Sequence, residues 1–327
     1  MLKTITSRTN KFNRYTWLIF GLGGTLVIGL NLYRGFTDFT QMTLNGVVLG
    51  FNLMLVALGL TLVFGILNVI NLAHGELYMI GGYITWYFTV EQGINYWLAI
   101  FIAMILVATL GVLLERVILR HFRINLMAGM VAGIGLIFIL NSTVLVWLDQ
   151  ANLGFGKKVI PQIVSGVSHF GGVSISNERL LVLFLGIALV AAVIFFILRT
   201  SLGRAMRAVA QDEEVARLQG INVNVVFSVT MAIGAALAAI GGGLLGATYW
   251  VGTDLGFPML LKSFIAIVLG GMGSVPGILA AALILGMIES YTSTLISGQA
   301  AYTLLFLMLC LILIIRPGGI AGQVVRE

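Results

Sequence analysis

The chain has 327 residues, 59% of them hydrophobic and 9% charged, with a formal net charge of +6. Soluble domains carry about 25% charged residues, so this composition excludes an ordinary soluble enzyme, a disordered chain and a collagen-like repeat. The apolar runs are continuous rather than alternating, which predicts an all-α polytopic membrane bundle of about 8–10 helices rather than a β-barrel.

In chain order, residues 1–16 form a basic tail with Lys3, Arg8, Lys11 and Arg14. The apolar run Trp17–Tyr33 follows. No small-x-small cleavage site succeeds it, so an uncleaved first helix is expected. Further spans are drawn at 41–64, 69–90, 97–119, 126–148, 180–199, 224–250, 257–272, 277–295 and 300–316. If two of them are re-entrant, eight full spans satisfy the same parity. Lysine and arginine collect on cytoplasmic loops. With both termini inside, that side holds the N-tail, Arg116, Arg120, Arg123, Arg199, Arg204, Arg207, Arg217, Arg316 and Arg326, thirteen of the 18 basic residues. The spans form one transmembrane domain over 17–316, closed by a cytoplasmic tail at 317–327. Residues 149–179 are expected as an external loop without a core of its own, and 200–223 as the largest cytoplasmic segment.

Two apolar runs are interrupted. The first reads F-G-I-L-N-V-I-N-L-A-H-G-E over Phe64–Glu76 and the second L-G-G-M-G-S-V-P-G over Leu269–Gly277. Glycine and proline clusters between short membrane segments point to discontinuous helices lining a cavity or buried in protein. Tight turns at the inner membrane face have the same composition. Ser274 can cap the following helix, and Pro276 suits its first turn. Asn68, Asn71, His74, Gly75, Glu76, Gly271, Gly273, Ser274 and Pro276 are the candidates for the translocation path. Matching His74-Gly75 with Pro276-Gly277 suggests an internal repeat, parallel or inverted.

Ionisable groups within a bilayer ask for partners. Lys262 is expected to pair with Glu289 or to snorkel, and Glu115 to pair with Arg116, Arg120 or another nearby cation. Asn45, Asn52 and Asn141 suit hydrogen bonds across helices, and Gly241, Gly242, Gly243, Gly270 and Gly271 suit close helix packing. The five tryptophans fall near span ends, as an interfacial belt requires. Cys310 is expected as a small buried apolar residue, and His74, His121 and His169 are too scattered to suggest a metal site.

The internal segment T-S-L-G-R-A-M-R-A-V-A-Q-D-E-E-V-A-R-L-Q-G-I-N-V places Leu202, Met206, Val209 and Ala216 on one helical face. Glu213 and Arg217 are spaced for an ion pair, and Gly220 suits a helix stop. The stretch Glu214-Val-Ala216-Arg-Leu-Gln-Gly220 resembles the E-A-A-x-x-x-G loop with which ABC-importer permeases dock into their ATPase subunits. It departs from that loop at Val215 and lacks the downstream proline. Both interrupted segments, G-R-A-M-R-A-V-A-Q-D and the closing R-P-G-G-I look like signatures of the branched-chain amino-acid ABC permease family of high-affinity leucine/isoleucine/valine importers. The resemblance covers about 41–322.

It implies a permease fold with discontinuous helices, importing branched-chain or related amino acids. Gly203, Arg204, Arg207, Asp212, Glu213, Glu214, Ala216 and Gly220 are then the ATPase-coupling residues. The partners implied are two ABC ATPase subunits holding ATP-Mg, a second permease (related or identical) and an external substrate-binding protein. The chain itself is expected to bind no cofactor, metal or nucleic acid. It has no P-loop, since Gly154–Lys158 lacks the spacing, and no H-E-x-x-H or nucleophile elbow, so no catalytic residues are expected. Urea and short-amide importers use similar permeases. The interrupted helices also fit a stand-alone secondary transporter or channel, but the docking-like loop and the scarcity of buried acids for ion coupling weigh against it.

Overall fold

The computed structural model describes residues 36–69, 71–122, 126–170, 173–271 and 273–315. The expected first helix, both basic tails, Arg34, Arg123 and the R-P-G-G-I segment lie outside the described residues. The helices are α1 (Phe36–Leu67), α2 (His74–Trp86, continued by a π-turn Tyr87–Glu91), α3 (Tyr96–Val117), α4 (Leu126–Gln150), α5 (Asn177–Arg199), α6 (Ser201–Gln211), α7 (Glu213–Leu218), α8 (Val223–Thr248), α9 (Gly256–Gly270), α10 (Val275–Leu295) and α11 (Gly298–Ile315). Among the described residues, α1, α3, α4, α5, α8 and α10 are long and apolar enough to cross a membrane. The chain is a multi-pass helical membrane protein.

Residues 149–179 are more ordered than the sequence suggests. A hairpin pairs β1 (Val167–Phe170) with β2 (Val173–Ser176), and Lys158 bridges to Val251. Ile160, Val173 and Ile175 are buried, so this segment has an apolar footing after all. Because α5 runs from this hairpin to the segment 201–218, it defines a hairpin end and a loop end of the bundle.

The central helices fall into two triplets of opposite sense. Helix α1 runs from the hairpin end, where Ser174 N–H donates to Gln41 (3.2 Å) and Arg179 to Asn45 (2.6 Å). The chain turns back at Asn68, which takes a positive φ of 53°. Helix α2 then starts partway along α1, with His74 Nε2 3.2 Å from the Val56 carbonyl, and climbs to the hairpin end. There Lys158 lies over the Trp86 ring. Helix α3 returns to the loop end. The second triplet is its inverse: α8 rises from the loop end, residues 249–255 fold back inward, α9 starts mid-bundle and descends, and α10 rises again. At 15 residues, α9 is about 22 Å long, short of the roughly 30 Å hydrocarbon core.

Contacts between α1 and α8 reveal the symmetry. Gly59 packs on Gly234, and two turns nearer the hairpin end Asn52 donates to the Gly241 carbonyl (2.8 Å). Exchanging the helices maps one contact onto the other, Gly59 onto Gly241 and Asn52 onto Gly234. The repeat is therefore inverted, about an axis in the membrane plane. The counterpart of His74-Gly75 is Gly256, not Pro276-Gly277. The latter lies in a tight α9–α10 turn, where Ser274 caps α10 and Gly271 and Gly273 take φ of 93° and 86°. The backbone conformation at Gly271, rather than packing alone, requires glycine.

Lipid supplies no hydrophobic drive between helices, so close van der Waals packing must hold them. A Cβ on Gly242 would strike the Tyr78 carbonyl, one on Gly81 would strike Ala239, and one on Gly46 would lie 2.7 Å from Met287 Cα. Lys262 and Glu289 pair at 2.5 Å, with the ammonium 4.7 Å from the Tyr302 ring centre. Trp86 is enclosed rather than interfacial. Cys310 is exposed, not buried, because α11 lies at the periphery of the described bundle.

Two outcomes are expected from thermal unfolding in detergent. Gly242→Val should destabilise the protein by about 1–3 kcal/mol or more, through overpacking against fixed backbone. Lys262→Ala should cost up to about 3–5 kcal/mol by leaving Glu289 unpaired, and Lys262→Ala/Glu289→Ala should cost less than that single change. A single variant no less stable than the double would contradict the second outcome.

Candidate functional site

The first candidate site lies where the two half-helices meet. Neither α2 nor α9 has a side-chain cap at its start, unlike α3, α6, α7, α8 and α10. Their amino ends face each other: a Cβ on Gly75 would strike the Gly256 carbonyl, and one on Gly256 would lie 2.6 Å from Glu76 Oε1. The Glu76 carboxyl thus sits in the first turn of α2 and against the first residue of α9. Two positive dipole ends favour negative charge there. Asn141 of α4 completes the site, donating to Glu76 Oε2 (3.3 Å) and to the Thr253 carbonyl (2.9 Å).

Glu76, His74 and Asn71 are buried. Asn71 Oδ1 accepts from Ala73 N–H (3.1 Å), and its amide faces Met231 Sδ at 3.9 Å. His74 and Glu76 are therefore enclosed where the two half-helices meet within this chain. The two sequence interruptions are not one site. Gly271, Gly273, Ser274 and Pro276 lie at the far end of α9, about 20 Å from Glu76. Of the residues that meet Glu76, Asn141 makes the hydrogen bond across helices expected of it, whereas Gly256 was not among the sequence candidates. The signal for the missed break was Gly252, Gly256 and Pro258 within V-G-T-D-L-G-F-P, the same composition that marked the other interruptions.

The second candidate site is the segment 201–218, which forms two helices rather than one. They break at Asp212, whose side chain caps α7 by accepting from Val215 N–H (2.9 Å). Met206, Val209 and Ala216 face inward as expected, but Leu202 is 40% exposed and belongs to the outer surface. The sequence-predicted coupling residues divide accordingly. Gly203 is buried in the elbow after α5, where a Cβ would strike the Ile197 and Phe196 carbonyls. Ala216 is buried, Arg207 donates to the Ile197 carbonyl, and Glu213 pairs with Arg217 at 2.5 Å. Gly220 stops α7 with φ 81°, and the Ile221 N–H closes onto the Ala216 carbonyl (3.1 Å). Arg204 and Glu214 are exposed and form no ion pair among the described residues. On the same segment Val215 and Leu218 of α7 are 51% and 85% exposed.

At the same end, the buried Glu115 accepts from Arg120 and Ser228. This meets the expectation of a nearby cation and adds a partner on α8.

Comparison with known proteins agrees with this architecture. Residues 42–315 match the family described as "Branched-chain amino acid transport system / permease component". The chain is 36% identical over 295 residues to the high-affinity branched-chain amino acid transport system permease protein BraD of Pseudomonas aeruginosa, covering 87% of this chain and 96% of that protein. It is 36% identical over 298 residues to the permease protein LivH of Escherichia coli K12, covering 88% and 97%. It is 28% identical to LivM of the same organism, covering 88% of this chain and 70% of that one. The chain therefore belongs to the family of branched-chain amino acid transport system permease components.

Proposed function

We propose that this chain forms part of the membrane pathway of an ATP-driven importer of branched-chain amino acids. An external binding protein delivers the substrate, and separate ATPase subunits that hold ATP-Mg supply the motion. The substrate class rests on the 36% identity to BraD and LivH. The weaker similarity to LivM supports a second, related permease as partner.

The observation that carries the coupling role is the apolar tip of α7. Leu218 and Val215 project from the loop end, on a two-helix segment held down by Met206, Val209 and Ala216. A tip of this kind, flanked by Arg204 and Glu214, fits a groove on a protein partner better than open water. Arg116, Arg120, Arg199, Arg204, Arg207 and Arg217 all belong to this end, which suits the cytoplasmic side where ATPase subunits act. In this reading the joint of α2 and α9 is the part of the chain that rearranges during transport. Asn68, Asn71, His74, Gly75 and Glu76 are its hinge residues, and the α9–α10 turn at Gly271, Gly273, Ser274 and Pro276 is its lower bearing.

Reconstitution of the whole importer tests this reading. Gly220→Pro cannot adopt the positive φ that ends α7, and Glu214→Lys reverses an exposed charge beside the apolar tip. Both variants should insert and assemble, while uptake per ATP hydrolysed falls about tenfold or more. Normal coupled uptake in both would overturn the assignment of 201–218.

A further inference from the structure

Glu115 has no accessible surface, although it carries a carboxyl group near the loop end of α3. Arg120 donates to it twice, at 3.2 and 3.0 Å, and the Ser228 hydroxyl donates at 2.9 Å. Arg116 Nε in turn donates to the Ser228 oxygen at 3.3 Å. Ser228 lies in α8, less than two turns after Asn222, whose side chain caps α8 where the segment from α7 enters it. The helix that leaves the segment 201–218 is thus fastened to α3 within its first turns.

The inverted repeat supplies a comparison inside the same molecule. In the equivalent joint, between α10 and α1 at the hairpin end, the groups that bond across the two helices are neutral, while the neighbouring Glu289 pairs with Lys262 of α9. There Ser290 donates to the Met42 carbonyl (2.7 Å), and Thr43 and Tyr291 share a hydrogen bond of 2.7 Å. Of the two joints, the one beside 201–218 carries the buried carboxyl. Neutral hydroxyls can exchange partners as helices slide. A buried carboxyl must keep its donors, so it resists separation of the elements it joins.

We propose that Glu115 is a positioning residue for energy coupling. Through Ser228 it clamps α3 to α8, so that a displacement of α6 and α7 moves α3, α8 and the half-helix α2 packed on both as one body. The inference rests on the coupling role proposed for 201–218. It adds that the force leaves that segment through the polar cluster in which Ser228 meets Glu115, Arg116 and Arg120.

The test uses the whole importer in proteoliposomes with loaded binding protein, reading ATP hydrolysed per substrate moved and assembly by size exclusion. Ser228→Ala and Glu115→Gln should assemble yet raise the ATP spent per substrate about tenfold. Ser228→Thr, which keeps the hydroxyl, should restore the ratio. Ser228→Ala removes a single oxygen and carries the test if Glu115→Gln does not assemble. A normal ratio in Ser228→Ala, whether its yield is normal or reduced, would make the contact purely structural and overturn the proposal. Gly220→Pro, run in parallel, separates the two ideas. Uncoupling there with normal Ser228→Ala sinks only the clamp, whereas normal coupling in both Gly220→Pro and Glu214→Lys sinks the role of 201–218 beneath it.

Discussion

The bundle is organised around the meeting of two helix amino termini. A helix that starts inside a membrane must find partners for its first N–H groups where water cannot reach them. Here α2 and α9 both start without side-chain caps of their own, and α2 closes its first turn on backbone, His74 N–H onto the Asn71 carbonyl and Glu76 N–H onto the Ala73 carbonyl. The Glu76 carboxyl lies between the two ends, with the Asn141 amide beside it. Gly75 and Gly256 permit the approach, since a Cβ on either would collide with the other half-helix. The long helices α1 and α8 enclose this centre, with Gly59 of α1 against Gly234 of α8 and Gly242 of α8 against the Tyr78 carbonyl of α2. A clash at the centre would separate both triplets, because each half-helix is held by the other's long partner.

The two ends of the bundle are built differently on the same plan. At the hairpin end, aromatic rings and cations meet: Lys157 lies over Trp250, Lys158 over Trp86 and Arg179 near Tyr249. At the loop end, arginines are exposed at the ends of α3 and α5 and on the segment 201–218, while the buried Glu115 is held by Arg120 and Ser228. The inverted repeat thus supplies a symmetric frame, and side-chain chemistry distinguishes the hairpin end from the end proposed to meet the ATPase.

Much of this was legible in the sequence. Continuous apolar runs give the spans, Ser274 and Pro276 mark the start of α10, and Gly220 marks the end of α7. The pairs Lys262–Glu289 and Glu213–Arg217 follow from charge and spacing. Three features were not legible, each for a physical reason. The inward fold at 249–255 is flanked by Tyr249, Trp250 and Val251, which read as the end of one span rather than as a break. Its absence shifted the apparent repeat onto Pro276-Gly277, where the composition is similar but the turn is at the loop end. Burial was misjudged at Cys310 and Leu202 because lipid-facing and core-facing positions are equally apolar in a membrane, so hydrophobicity does not mark the core. The Glu76 site joins residues from α2, α4 and α9, and no spacing along the chain reports that.

The central joint also constrains how the protein is made. Glu76 and Gly256 lie 180 residues apart in the sequence. At ribosomal rates of about 5–20 residues per second, roughly 10–40 s separate their synthesis. Throughout that interval α2 has no partner for its uncapped start, and at 13 residues its α-helical part, about 20 Å long, cannot span the bilayer alone. The segment 68–76 must therefore wait at the membrane surface or in the insertion machinery, and it enters only when α8 and α9 arrive. Biogenesis of this permease ends in a late closure of its centre, and the two half-helices are the last pieces to become a membrane structure.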